Sequence, residues 1–223
     1  MMSATDLVTF GRAHIGDGVG PNGTRILTEA STKLMQEKTI DYQGPGFAEG
    51  FGLGWMLNGD GSYGHGGGGP GILSWLTMSK EKDFAIAILT NVEHGGLIIA
   101  ELTEPYFKEL DLNKFRGLGG LDEAETVPSP GSDYFIGTYS NCSMIMELME
   151  HEDGHALRVK PTLEIYDSVK AEWTPPLPIR FVDDDVFMSA VPAGPLSAPY
   201  RLVNFENGKA GHLASAGRLF KRE

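Results

Sequence analysis

His65-Gly66-Gly67-Gly68-Gly69 sets one imidazole at the head of four glycines. This is how a strand edge reads when another backbone must approach it closely, because glycine carries no Cβ to hold that backbone off. A histidine placed there can exchange a proton with a bound group, and the amides after it can donate to a developing oxyanion. A second constellation, His151-Glu152-Asp153-Gly154-His155, spells His-Glu-x-x-His. On a helix that spacing puts two imidazoles on one face around a zinc ion while the glutamate activates water. Here Asp153-Gly154 is a hairpin signal and glycine is a poor helix residue, so the expectation is strand, turn, strand. Such a hairpin sets His151 opposite His155 at about 5 Å, close enough to share a metal if Glu150 or Glu152 joins. Ser79-Lys80-Glu81-Lys82 and Tyr139-Ser140-Asn141 have the spacings of a serine nucleophile with its lysine base and of a proton-transfer triplet. The first is expected in a turn, where serine and lysine share no helix face, and the second at a strand end, so neither is expected to be catalytic. Asp183-Asp184-Asp185 reads as a solvent-facing turn.

Periodicity says which elements carry these residues. Ser3 stands three positions before Asp6, a capping-box-like start, and Leu7, Phe10, His14 and Ile15 recur at helical spacing. His14 falls on or beside the apolar face and is expected as a satisfied core histidine. Leu27, Thr28, Leu34 and Met35 predict a second short helix with Thr28 as its cap. From Phe51 onward, FGLGWML, SYGHGG, GILSWLTMS and FAIAILTN read as strands of an antiparallel sheet. Residues 96–113 place Ile98, Leu102, Tyr106, Phe107 and Leu110 on one helix face that covers the sheet, with Pro105 a break or kink. The stretch 117–131 has the Gly, Pro, Ser and acid content of a linker. After it come about eight short apolar runs separated by turn signals, the pattern of a small closed barrel.

The chain has 223 residues, 18 basic and 30 acidic, for a formal charge of −12. No basic stripe exists to neutralise phosphates, which argues against nucleic acid and anionic membranes as partners. The single cysteine, Cys142, excludes an internal disulfide and is expected as a small buried hydrophobe. Neither a signal-peptide core nor a membrane-length apolar window is visible, so the expected location is cytoplasmic.

In order, SATDLVTFGRAHIGDG, ILTEASTKLM, FGLGWMLN and YGHGGGGPGILSWLTMSKEKDFAIAILTN resemble the carboxy-terminal half of the serine β-lactamase and penicillin-binding-protein-like hydrolases. The resemblance is nearest to the class C β-lactamase-like esterases and peptidases. Residues 132–223, from FIGTYS to GRLFKR, are similar to the lipocalin-like barrel that follows the hydrolase domain in some members. The implied fold class is α+β: a truncated β-lactamase-like antiparallel sheet with flanking helices over 1–116, a linker over 117–131 and an all-β lipocalin-like barrel over 132–223. His65-Gly66-Gly67 matches the family's His-x-Gly strand beside the active site. By that correspondence His65 contacts the substrate or its leaving group, Gly66 and Gly67 let the substrate approach, and Gly68 N–H is one oxyanion donor. The family's Ser-x-x-Lys helix and Tyr-x-Asn loop precede that strand and have no counterpart here.

Three functions are therefore expected. The first is a hydrolase of this superfamily, acting on small ester, lactam or amide substrates without a cofactor, that lacks its nucleophile in this chain. The second is a metal-dependent hydrolase, an esterase or phosphoesterase, with a divalent ion such as zinc held by some of His65, His94, His151 and His155 with carboxylates. The third is a non-catalytic module binding a small ligand or a protein. Loss of half a domain exposes its former core, which predicts a homodimer covering that surface.

Overall fold

The structure, a computed structural model, describes residues 2–46, 48–69, 71–92, 95–113, 124–152, 154–162, 172–191 and 198–223. Met1–Tyr42 with Ala48–Gly117 forms one compact unit, and Gln43–Phe47 with Leu118–Glu223 forms the other. Among the described residues no helix is long and apolar enough to cross a membrane.

Helix α1 (Ala4–Ile15) starts at the expected capping box. The Ser3 hydroxyl accepts from Asp6 N–H at 3.1 Å, and the Ser3 amide donates back to the Asp6 carboxylate at 2.9 Å. These bonds satisfy two backbone donors that a helix start otherwise leaves unpaired. Helix α2 (Glu29–Gln36) is capped by Thr28, whose hydroxyl accepts from Ser31 N–H at 3.1 Å. Six strands follow, β1 (Ile40–Asp41), β2 (Gly50–Phe51), β3 (Met56–Leu57), β4 (Ser62–Gly69), β5 (Ile72–Ser79) and β6 (Phe84–Thr90), then helix α3 (Gly95–Glu109). The strands form one antiparallel sheet in chain order, with β6 at its edge. Leu76 and Met78 of β5 meet α1 at Gly11, where an added Cβ would lie 2.9 Å from Met78 Sδ. On the other face Phe84 meets Phe107 of α3 edge to face, with ring centroids 6.2 Å apart. An antiparallel sheet with flanking helices is the expected α+β arrangement.

Two sequence expectations are corrected in this unit. The buried stripe of α3 is Ile99, Thr103 and Phe107, while Ile98, Leu102 and Tyr106 point outward. Docking of Phe107 on Phe84 sets the helix phase, and Thr103 fits beneath because its hydroxyl donates back to Ile99 C=O at 2.8 Å. His14 is buried, at 1% exposure, but it is not satisfied: both ring nitrogens lack a partner between Phe10 at 4.8 Å and Trp55 at 4.9 Å.

Burial holds the His14 imidazole below its ordinary value of 6.5. Between that lowered folded-state value and 6.5, the unfolded chain binds a proton that the folded unit does not. Stability supplied by neutral His14 is thus present above 6.5 and is lost as pH falls through the folded-state value. His14→Leu is expected to flatten the acid side of a plot of urea midpoint against pH between 7 and 5. An unchanged slope in the variant would show that His14 does not carry the effect.

The second unit contains a short 3₁₀ turn, Ser132–Tyr134, and, among the described residues, eight antiparallel strands: β7 (Gly137–Ser140), β8 (Met144–His151), β9 (Gly154–Pro161), β10 (Leu177–Asp183), β11 (Val186–Ser189), β12 (Tyr200–Glu206), β13 (Lys209–Ser215) and β14 (Arg218–Arg222). They close into the expected barrel, β14 pairing with β7 and β9 with β10. Its interior is filled by side chains that include Phe135, Tyr139, Phe181, Phe187, Tyr200 and Phe220, so it is a packed core. Arg222 latches the closing seam. Its guanidinium lies over the Tyr139 ring, donates to the Tyr139 hydroxyl at 3.0 Å and to Ala210 C=O at 3.3 Å, and also reaches Ile136 C=O. Burial, opposed by Arg222, pushes the Tyr139 phenol up to about 12. Cys142 is exposed, contrary to expectation. It sits in the β7–β8 turn, where Asn141 Oδ1 accepts from Ser143 and Met144 amides and turns the chain tightly at the surface.

Candidate functional site

Strand β4 is gripped differently along its two edges. Toward β5 it pairs over its whole length, from Ser62 opposite Ser79 to Gly69 opposite Ile72. Toward β3 it pairs only through Tyr63 and Gly64. Among the described residues, His65 to Gly69 therefore present a free backbone edge, and His65 itself is exposed. Opposed residues of antiparallel strands share a face, so His65, across from Leu76, lies on the α1 face. Gly66 and Gly68 lie on the α3 face opposite Trp75 and Leu73.

The glycines are required by their neighbours. A Cβ on Gly66 would fall 2.4 Å from Cε3 and Cζ3 of Trp75, and one on Gly64 would fall 2.0 Å from Leu76 C=O. Trp75 is pinned by its indole N–H, which donates to Thr77 Oγ1 at 2.8 Å. The wall formed by Trp75 was missed in reading the sequence. The two-residue spacing between Gly69 and Ile72 was the available signal, since counting back from it pairs Gly66 with Trp75.

No second reactive group converges on His65 among the described contacts. The Ser74 hydroxyl, across from Gly67, is spent on Gly67 C=O at 3.2 Å. Ser79 is buried at the end of β5 and its Oγ accepts from Lys82 N–H at 3.3 Å, while the Lys82 ammonium turns to Glu81 at 3.5 Å. The Ser79 to Lys82 spacing is thus a turn, as expected. Tyr139 is fully buried and donates to Phe135 C=O at 2.8 Å, and Asn141 shapes its turn, so Tyr139-Ser140-Asn141 is structural. A cleft of about 310 Å³, with Lys38, Glu49 and Tyr63 in its lining, opens at the other end of β4 from the glycines. Lys38 is occupied there by Asp41 at 2.7 Å and Glu49 at 2.9 Å. Burial and the Asp17 charge push the Tyr63 phenol up to about 12, which keeps it neutral.

The histidine pair expected of the β8–β9 hairpin does not form. Register sets His155 opposite Glu150 and His151 opposite Gly154, which puts the two imidazoles on opposite faces of the ribbon. Both His155 nitrogens are already engaged, Nδ1 with Ser129 Oγ at 3.3 Å and Nε2 with Ser132 Oγ at 3.1 Å, and its ring packs on Phe135 at 4.8 Å. Burial lowers its pKa, against a smaller upward pull from Glu150. His155 thus ties residues 129–135 to the barrel. Among the described residues no three His, Cys, Asp or Glu side chains group to hold a metal. His94, the remaining candidate metal ligand, lies outside the described residues. Asp183-Asp184-Asp185 is a hairpin turn, with Asp185 paired to Arg201 at 3.3 Å.

Comparison with known proteins sets this geometry in context. The Beta-lactamase family profile matches residues 1–101. Penicillin-binding protein 4 of Amycolatopsis lactamdurans is 36% identical over 115 residues, covering 49% of this chain and 29% of that protein. Two solved structures of SurE, one with D-Leu, superpose with TM-scores of 0.61 and 0.62 at 24% identity, over 99% of this chain and 50% and 48% of theirs. That likeness is one of fold. The chain spans about half the length of those solved chains and less than a third of the curated relative.

Proposed function

We propose that this chain, whose first unit is β-lactamase- and penicillin-binding-protein-like over residues 1–101, supplies the substrate-flanking strand of an acyl-transfer hydrolase. The observation that carries the reading is the free five-residue edge from His65 to Gly69, bare of side chains after an exposed imidazole. An extended ester, lactam or amide can lie against it and exchange main-chain hydrogen bonds, as a strand would. His65 then meets the leaving group or an adjoining polar group, Gly66 and Gly67 allow the approach, and Gly68 N–H donates to the oxyanion. The nucleophile comes from elsewhere in the fold, from polypeptide corresponding to the half of the solved relatives without a counterpart here.

A single-chain chimera tests this, with residues 1–113 replacing the matched segment of the Amycolatopsis lactamdurans protein. The chain alone is expected to show neither labelling by a fluorescent penicillin nor hydrolysis of a nitrophenyl ester. The chimera is expected to do both, and His65→Ala in it to lower turnover by about 100- to 1,000-fold, a usual loss for a group acting on the transition state. Labelling of the chain alone, or a chimera indifferent to His65→Ala, would defeat the proposal.

A further inference from the structure

We infer that Ser132, with His155 as its base, is a nucleophilic serine in the second unit, taking one phosphonyl group per chain from a small, uncharged organophosphorus electrophile. It lies apart from the His65 strand and rests on no role proposed there.

Register and packing place the pair at one end of the barrel. Leu157 and Val159 of β9 belong to the barrel core, and side chains two residues apart in a strand share a face, so His155 points the same way at the start of β9. Across from it stand Glu150 on β8 and Ile179 on β10, and its ring packs edge-on against Phe135 with centroids 4.8 Å apart. Ser129 and the half-buried Ser132, on the segment that leads into β7, meet its two ring nitrogens.

Which serine donates is fixed by proton count. A neutral imidazole has one N–H and one lone pair, and each hydroxyl has one proton. The Ser129 hydroxyl spends its proton on Pro130 C=O at 2.9 Å. Its oxygen therefore accepts at the 3.3 Å contact with His155, which puts the ring proton on Nδ1. Nε2 keeps the lone pair, and the Ser132 hydroxyl, 3.1 Å away, donates to it. A tie between residues 129–135 and the barrel would be served by either tautomer, whereas activation of Ser132 needs this one. A hydroxyl donating to an imidazole whose other nitrogen is held by a third group is the arrangement that makes serine a nucleophile. Burial, against a smaller opposing pull from Glu150, holds the imidazole below 6.5, so it is the free base at neutral pH. The Glu150 carboxylate beside it repels anions, which favours an uncharged electrophile.

In the transfer, Ser132 Oγ bonds to phosphorus and the leaving group departs with the electron pair of its own bond to phosphorus. The serine proton passes to His155 Nε2 and from there to solvent.

Incubation of the whole chain with a small alkyl fluorophosphonate, read by intact mass and peptide mapping, tests this. One adduct is expected, on Ser132 and absent in Ser132→Ala. Its rate should rise with pH through a midpoint below 6.5 and level off above about pH 7, because only the free-base imidazole accepts the proton. His155→Gln should slow it by about 100-fold or more. Ser129→Ala, a smaller change that removes only the acceptor of the Nδ1 proton, should also slow it, and Ser129→Thr should restore it. No adduct on the folded chain, an adduct on another residue, or a rate that climbs without levelling to about pH 9 would overturn the inference. So would a Ser132 adduct whose rate is indifferent to both His155→Gln and Ser129→Ala.

Discussion

Phe187→Ala is expected to cost the barrel about 3–5 kcal/mol, the range for deleting a fully buried aromatic ring. Phe187 has 0% exposure, its ring lies parallel to that of Tyr200 at 5.1 Å, and Phe181 leans on it at 5.5 Å. Those neighbours sit on β12 and β10, each fixed by its own ladder, so they cannot close over the void. Stacking adds about 0.5–1.5 kcal/mol beyond the buried area, and the total is a large share of a domain's 5–15 kcal/mol. The Tyr200 phenol, driven upward by burial, would lose the apolar wall that buries it. Amide exchange should rise in peptides from β11 and β12 and stay unchanged in α1 and β6. Exchange rising equally in both units would show that the ring is not a local keystone.

Gly66→Val is expected to destabilise the first unit by about 1–3 kcal/mol, the usual cost of overpacking a close-packed site. The new Cβ would lie 2.4 Å from two carbons of an indole held by Thr77, so either Trp75 leaves its place or β4 parts from β5 where the free edge begins. Gly67→Ala should cost less, because its obstacle is the Ser74 hydroxyl at 2.9 Å, which can rotate away. Urea unfolding followed by tryptophan fluorescence separates the two variants. Equal midpoints for Gly66→Val and the parent would mean that Trp75 packing does not demand the glycine.

Much of this was legible because local rules sufficed. Ser3 with Asp6, and Thr28 with Ser31, cap their helices through backbone donors a few residues away, so the sequence spacing is itself the structural reason. The barrel strands follow from alternating apolar residues between turn signals, and closure follows because eight short strands otherwise leave two exposed edges. What escaped reading depended on register and phase. The His-Glu-x-x-His string carries no record of which residue its hairpin sets opposite which, and the pairing of His155 with Glu150 divides the two histidines between faces. Helical spacing on α3 is equally satisfied by Ile98, Leu102, Tyr106 and by Ile99, Thr103, Phe107, and only the contact of Phe107 with Phe84 selects the second set.

For the candidate site the division is similar. That one histidine heads a run of four glycines on a strand is legible in the residues alone, because glycine clusters and strand periodicity are properties of neighbouring residues. Only long-range packing sets the rest: among the described residues this strand is open along His65 to Gly69, Trp75 walls its α3 face, His155 is consumed by two serines, and Ile98, Leu102 and Tyr106 of α3 are exposed. Each of those facts is a meeting of residues far apart in the chain, set by packing that local spacing does not encode.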